Sequence, residues 1–196
     1  MKVRHPHSKV DQRGLVLVTS LLLLVVVTIL AIGMFRSFGL DERIAGNVRE
    51  KQRAVNAAET AEQFAESWLS SGNATSAVAC TTMVSANVGQ VCTSTLQAQG
   101  INPASIPWQV AGANVGVNYL PSTPTLMTTS HTGGSGTYYT NPVFYVGFLN
   151  TAIVNGVSTT IYQIDAVGYG GSANTAAVVE STYQVQSGTK NLGENQ

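Results

Sequence analysis

The sequence RGLVLVTSLLLLVVVTILAIGMFRSF, residues 13–38, decides how the chain is organised. Between Gly14 and Arg36 it contains an apolar run of 21 residues with no charged side chain. A helix needs roughly 20 apolar residues to cross the hydrocarbon core of a bilayer. The run therefore predicts one membrane-spanning helix over residues 15–35.

The sequence that follows this run is also compatible with a helix. No proline occurs between Arg36 and Pro103. Apolar residues recur mostly three or four positions apart, which places them on one side of a helix. The cluster Ser70-Ser71-Gly72-Asn73 is a typical helix stop. We expect an amphipathic continuation over residues 36–69, whose apolar side is formed by Ile44, Val48, Val55, Ala58, Ala61, Ala65, Trp68 and Leu69.

Charge is distributed unevenly along the 196 residues, although the formal net charge is zero. Residues 1–14 contain four basic side chains and one acidic side chain. We interpret this segment as a leader peptide. Positively charged flanks of membrane helices stay in the cytoplasm. The predicted topology therefore exports everything beyond Phe35, including a globular domain over residues 70–196.

Cys80 and Cys92 are the two cysteines of the chain. In an exported domain they can oxidise to a disulfide. Closing this loop would stabilise the domain by roughly 3 kcal/mol through lost chain entropy. Two free thiols in a cytosolic protein are the alternative.

A secretory signal peptide is another interpretation of the apolar run. Such a peptide has an apolar region of about 7 to 15 residues followed by a small-residue cleavage site. Here the run is longer, and the small residues Ala31 and Gly33 lead into a charged helix. Retention of the segment is favoured.

The C-terminal half of the chain predicts a small sheet. Residues 142–149 and 157–167 are apolar and β-prone, and they flank Asn155-Gly156, a strong hairpin signal. A third alternating segment covers residues 176–186. We expect a three-stranded antiparallel meander with one face packed on the amphipathic helix and the other in solvent. This is an α+β fold: a long N-terminal helix packed on a small C-terminal antiparallel sheet.

The composition argues against nucleic-acid binding and catalysis. No charged side chain occurs between Ser67 and Ile164, which does not suit a phosphate partner. Residues 168–173, GYGGSA, match a dinucleotide-binding glycine pattern, but a strand follows them where that motif requires a helix. His131 and Asp165 are the residues that a Ser-His-Asp site would have to use. No cysteine-histidine set offers four metal ligands. We therefore expect neither an enzyme nor a bound cofactor or metal.

Two motifs near the N-terminus resemble a known family. Gln12-Arg13-Gly14 before Leu15 resembles the cleavage site of a type IV prepilin, where a peptidase cuts in front of the apolar segment. Residues 41–69 are similar to the signature that follows the apolar segment in PilX-type minor pilins. The matching positions are Glu42, Arg43, Ala45, Gly46, Asn47, Arg49, Gln52, Ala57, Ala58 and Glu59.

Further similarities and one departure accompany these motifs. Residues 162–171 and 178–185 resemble the last two strands of the family. Type IV pilins usually begin with phenylalanine after cleavage and carry glutamate at the fifth mature position, whereas this chain has Leu15 and Thr19. The missing glutamate favours a position at the filament tip, where no further subunit must be registered. The alternative is that Thr19 merely bonds its own helix backbone.

The resemblance implies a type IV pilin-like fold and a defined order of membrane insertion, processing and assembly. The precursor would sit once across the inner membrane with its N-terminus in the cytoplasm, be cut between Gly14 and Leu15 by prepilin peptidase, and be methylated on the new amine. Its expected partners are other minor pilins, the major pilin and, at the pilus tip, a large adhesin, in a complex that primes assembly or contributes to adhesion and twitching. After assembly the protein would lie in the pilus at the cell surface.

Two other functions remain open at this stage. One is a tip pseudopilin of a type II secretion system, although the large helical insertion and the calcium ligands of that subunit are not visible. The other is a single-pass protein that anchors a periplasmic binding domain. Cleavage in front of Leu15 separates the two pilin interpretations from an anchored binding domain.

Overall fold

The structure is a computed structural model that describes residues 13–74, 76–119, 129–130, 136–154 and 156–187. The chain forms two compact units, Met1–Asn47 and Val48–Gln196. Helix α1 (Arg13–Trp68) contributes residues to both. Each unit is considered by itself below.

The first unit consists, in its described part, of residues of α1. The segment Gly14–Met34 is the single described helix segment that is long and apolar enough to cross a membrane. Its side chains are almost all exposed, and none of the segment is buried inside the protein. The first unit therefore offers an apolar helix without an apolar partner from its own described residues.

The second unit begins with the C-terminal part of α1. That helix ends at Trp68 and runs into a π-helical turn over Leu69–Asn73. Gly72 has φ 83°, a left-handed conformation that favours glycine and ends the helical ladder. The Asn73 amide donates a hydrogen bond to the carbonyl oxygen of Trp68 at 3.1 Å. The predicted stop is therefore where the helix ends.

The sheet contains five strands in the described part of the chain, in the order β1-β4-β5-β6-β7. The long strands β5, β6 and β7 are antiparallel neighbours and form the predicted meander. Strand β1 pairs in parallel with β4, which pairs antiparallel with β5, and the sequence did not predict these two additions. Strands β2 and β3 form a separate two-stranded sheet. The strands are β1 (Met83–Ser85), β2 (Gln109–Val110), β3 (Ala113–Asn114), β4 (Gly116–Asn118), β5 (Val143–Val154), β6 (Val157–Tyr169) and β7 (Ala176–Ser187).

The β5–β6 hairpin has the register that the sequence predicts. Val154 pairs with Val157, which leaves a two-residue connection. Its second residue, Gly156, has φ 78°, as a tight hairpin turn requires, while Asn155 lies outside the described residues. The strands also extend further than expected, with a register shift between Phe148 and Asn150.

The helix-facing core joins small residues of α1 to larger residues of the sheet. Ala61, Ala65 and Leu69 pack in one cluster with sheet residues that include Phe144 and Ile164. Alanine side chains let the helix lie close to the strands, which explains why this side of α1 is so poor in large residues. The expected apolar side was too long, because Ile44 and Val48 are exposed at 60% and 63%. The buried helix residues are Ala54, Ala57, Ala58, Ala61, Ala65 and Leu69.

The second face of the sheet is not in solvent, and that prediction was wrong. Tyr145 and Val167 on this face pack in a cluster with Leu96, Trp108 and Val115. The Trp108 indole donates to the carbonyl oxygen of Pro103 at 2.8 Å, which satisfies its buried N–H. Residues between Cys92 and Val115 therefore form a third layer, called the covering layer below, and the sheet lies between this layer and α1.

Candidate assembly site

The apolar segment is the first part of the candidate site. Leu15, at its start, is 67% exposed, and large apolar residues along the segment are similarly exposed. Each exposed apolar side chain of this size loses about 1.5–3 kcal/mol of burial free energy in water. The segment is accordingly built to be covered by lipid or by other chains.

The polar side chains within this segment bond to the helix that carries them. The hydroxyl of Thr19 donates to the carbonyl oxygen of Val16 at 3.0 Å, and that of Ser20 donates to Leu17 at 2.9 Å. The hydroxyl of Thr28 donates to Val25 at 2.7 Å. All three hydroxyls can therefore enter an apolar environment without losing a partner. For Thr19 this is the geometry of the second interpretation above, and its role in a filament stays a prediction.

The predicted cleavage site lies at the start of the described helix. A side chain added at Gly14 would meet nothing within 4 Å, and Leu15 is exposed. Residues 1–12 of the predicted leader, which covers residues 1–14, lie outside the described residues. Cleavage between Gly14 and Leu15 stays a prediction.

The signature residues do not gather into one cluster. Glu42, Arg43, Gly46, Asn47 and Arg49 are all exposed. In the second unit Gln52 donates to the Asn56 side chain at 3.0 Å, Ala57 and Ala58 are buried, and Glu59 is exposed. The signature thus combines buried alanines that allow close packing with exposed polar side chains.

Three residues that sequence reasoning missed attach the helix to the sheet. Glu50 accepts a hydrogen bond from the backbone N–H of Gly171, and Lys51 donates to the carbonyl oxygen of Ala176. Arg53 pairs with Glu50 at 2.8 Å, in the one ion pair found among the described residues. Glu50 and Lys51 act where β6 turns into β7. A sequence signal did exist, because the glycines at 168, 170 and 171 leave room for a helix.

Arg53 also contacts the segment that precedes β5. Its guanidinium donates to the carbonyl oxygen of Thr137 and lies 4.6 Å from the ring centroid of Tyr138. The hydrogen bond from Gly171 holds the pKa of Glu50 below its ordinary value, and Arg53 adds to this effect. Glu50 is therefore a carboxylate whose charge is stabilised by the fold.

Cys80 and Cys92 form a disulfide in the structure, with their Cα atoms 5.4 Å apart. Cys92 also bonds to the sheet, because its N–H donates to Val146 at 2.7 Å and its carbonyl oxygen accepts from Phe148 at 2.8 Å. The disulfide therefore fixes the covering layer directly against β5.

Asp165 is one of the two residues that a Ser-His-Asp site would have to use. It is fully buried on β6, opposite Glu180, and receives weak hydrogen bonds of 3.3 and 3.4 Å from Gln163. Burial raises its pKa to about 7, and Glu180 adds to the increase. His131 lies outside the described residues. No group of three or more potential metal ligands occurs in the part of the chain that was described.

These features define a class of protein. A long apolar N-terminal helix segment leads into a helix that packs on a small, mainly antiparallel sheet, and this is the α+β, type IV pilin-like fold. The segment exposes its apolar residues, and the domain has the packed core of a folded module.

Comparison with known protein families identifies which pilins the N-terminal helix resembles. Residues 13–61, about a quarter of the chain, match the PilX N-terminal family. This match confirms the resemblance of the N-terminal helix to PilX-type pilins, which are related to the type IV pilus. No curated protein and no solved structure matches the chain.

Proposed function

We propose that this protein is a minor pilin that takes part in type IV pilus assembly, in a priming or tip complex with other minor pilins and the major pilin. The observation that carries the proposal is the almost entirely exposed apolar segment Gly14–Met34, which lies within the residues that match the family. Such a segment can hold the precursor in the inner membrane and then pack against other pilins in the filament.

Processing would create the assembly-competent form. Prepilin peptidase would cut between Gly14 and Leu15, and the new amine would be methylated. The leader would stay cytoplasmic, and the domain over residues 70–196 would be exported and finally displayed on the pilus. Thr19 in place of the usual glutamate supports a position at the tip, where contact with a large adhesin would link the protein to adhesion.

The predicted cleavage and methylation are tested by the mass of the N-terminal fragment after co-expression with prepilin peptidase. We expect a product that begins at Leu15 and is heavier by one methyl group. Gly14→Val should block the cut, because the peptidase acts beside this residue. Gly33→Val is the matched control, since both glycines are helical with nothing within 4 Å of an added side chain. A product that begins beyond Phe35, or an uncut wild-type chain, would refute the prepilin.

A deletion in the host tests the assembly role itself. Surface pili should decrease, and the wild-type gene should restore them while the Gly14→Val variant should not. A tip or priming subunit should also be far less abundant than the major pilin in sheared pili. Unchanged piliation, twitching and adhesion after deletion would contradict the proposal.

A further inference from the structure

Strand β7 forms one outer edge of the sheet and has no strand beside it among the described residues. It is 12 residues long, whereas β1 at the opposite edge has three. Alternate N–H and C=O groups of an edge strand point away from its neighbour and can pair with a further strand. Exposed edges are usually protected by lysine, proline or a bulge, and the sequence AAVVESTYQVQS contains neither lysine nor proline.

One side of α1 lies along this edge, and the part of it that holds Glu62 and Glu66 is acidic. Lys51, Val55, Glu62 and Glu66 follow one another at spacings of four, seven and four residues, so they share a side of the helix. Lys51 donates to the carbonyl oxygen of Ala176 on β7, which shows that this side faces β7. The helix then continues along the strand, because Ala65 and Leu69 pack in the same cluster as Tyr183 and Val185.

The carboxyl groups beside the edge are half-buried and lack a cation. Glu62 and Glu66 are partly covered, and the described structure pairs neither with a basic side chain. Burial raises the pKa of Glu66, and Glu62 adds to the increase. Ser181, on the helix-facing side of β7, has a buried hydroxyl oxygen without a hydrogen-bond partner among the described residues. An added strand with basic side chains toward the helix would supply both the charge and the donor that are missing.

We propose that the outer edge of β7 receives an extended segment of a different protein, with lysine or arginine at alternate positions. The edge selects an extended backbone, and the acidic helix side selects the basic side chains. A second copy of this chain fits poorly, because a β7–β7 pair would bring Glu180 and the acidic helix side of each copy toward those of the other. This inference does not depend on the pilus role and can fail independently of it.

Synthetic 12-residue peptides provide the test, with the full-length protein in detergent micelles. One peptide alternates valine with lysine, the second has glutamate in place of lysine, and the third is the lysine peptide with alternate backbone amides methylated. Fluorescence anisotropy gives the affinity, and hydrogen exchange locates the contact. We expect the lysine peptide to slow exchange within Ala176–Ser187. It should bind about tenfold more tightly than the other two peptides.

Paired variants check the charge argument. Glu62→Gln with Glu66→Gln should weaken binding of the lysine peptide by about tenfold, because two partly exposed ion pairs are lost. Gln109→Lys with Asn114→Lys changes the net charge equally at exposed positions of the β2–β3 sheet and should change affinity much less. Glu62→Lys with Glu66→Lys should reverse the preference in favour of the glutamate peptide.

Several results with the wild-type protein would overturn the proposal. They are equal affinity for the lysine and glutamate peptides, and undiminished binding of the methylated peptide. Protection that maps outside β7 would do the same. Protection of β7 without peptide that increases with protein concentration would show a second copy in place of a basic strand. Slow exchange of all β7 amides in the dilute free protein would show that the edge is already covered by the chain itself.

Discussion

Asp165 makes the stability of the fold depend on pH. Its pKa of about 7 in the folded state lies above the ordinary value of 3.8, because the charged form is buried on β6. The folded state therefore holds the proton more tightly than the unfolded state. Its contribution to stability is fully present below about pH 4 and is lost as the pH rises through about 7.

The Asp165→Asn variant should show this effect directly. We expect it to melt above the wild type at pH 8, by an amount corresponding to a few kcal/mol, on the order of 1.4 kcal/mol per unit of pKa shift. At pH 4 the difference should largely vanish. Thermal unfolding of both proteins across this range is the measurement. Glu180→Gln is the companion variant and should move the transition of the wild type to lower pH, because it removes a carboxylate that raises the pKa of Asp165. A constant difference between Asp165→Asn and wild type would contradict the assignment.

At the scale of elements, Gly168 sets the distance between α1 and β6. A Cβ atom at this position would lie 2.3 Å from the backbone nitrogen of Ala58 and 2.4 Å from the carbonyl oxygen of Ala54. Since both neighbours are backbone atoms, the helix itself would have to move. We expect Gly168→Ala to destabilise the protein by about 2 kcal/mol. Denaturant unfolding measures this loss.

Gly46→Ala provides the contrasting variant for that experiment. Gly46 lies within α1 and is exposed, so an added Cβ would meet nothing within 4 Å. Here alanine should be neutral or stabilise the helix by up to about 1 kcal/mol. If both substitutions had the same effect, the close contact at Gly168 would not be what limits this position.

The disulfide links two neighbouring segments that are also joined by backbone hydrogen bonds between Val78 and residues 91 and 93. It closes the loop between Cys80 and Cys92, and Cys92 bonds to β5 on both sides through its backbone. Reduction, or Cys80→Ser with Cys92→Ser, should cost roughly 3 kcal/mol. Melting should therefore fall on adding a reductant to the wild type and stay unchanged in the double variant. A reductant effect in the double variant would locate its cause elsewhere.

The elements that could be predicted from the sequence have strong local signals. The apolar run and the helical spacing after it predicted α1, and the cluster around Gly72 predicted its end. The β-prone segments around Asn155-Gly156 predicted the β5–β6 hairpin. Strands β1 and β4 have three residues each, which is too short for a recognisable alternation of apolar and polar residues. They also pair in parallel with partners more than 30 positions away, which no local pattern predicts. The covering layer was missed for the same reason. Its segment is rich in serine, threonine and alanine, and Trp108 becomes a core residue only through contacts distant in sequence.

The candidate site divides in the same way. Gly14, Leu15, Thr19 and the signature positions could be named from motifs, because a peptidase or an assembly partner reads a linear sequence. The contacts of Glu50, Lys51 and Arg53 could not, because each joins α1 to residues more than 80 positions away. The acidic side next to β7 likewise exists only after the helix is laid along the strand.

At the scale of the whole molecule, the chain combines a folded domain with a helix segment that water does not favour. Val48–Gln196 buries its own apolar residues, whereas Gly14–Met34 buries none of its own. The two kinds of sequence should therefore respond differently to the same kind of substitution. Charges placed in the apolar segment should affect membrane retention and leave the folding of the domain unchanged.

Leu23→Asp with Val26→Asp tests this separation. An aspartate near the centre of a spanning helix costs about 2.5–3.5 kcal/mol on insertion scales, so two of them should remove most of the advantage of the membrane. We expect the variant to move largely from the membrane fraction to the alkaline-extractable fraction. Leu23→Val with Val26→Leu keeps the segment apolar and should stay in the membrane. Protease resistance of the domain should be the same in both variants, because Leu23 and Val26 are exposed residues of the first unit and do not belong to the core clusters of the second. Full membrane retention of the aspartate variant would mean that other parts of the chain hold it there, and the assignment of Gly14–Met34 as the anchor would fail.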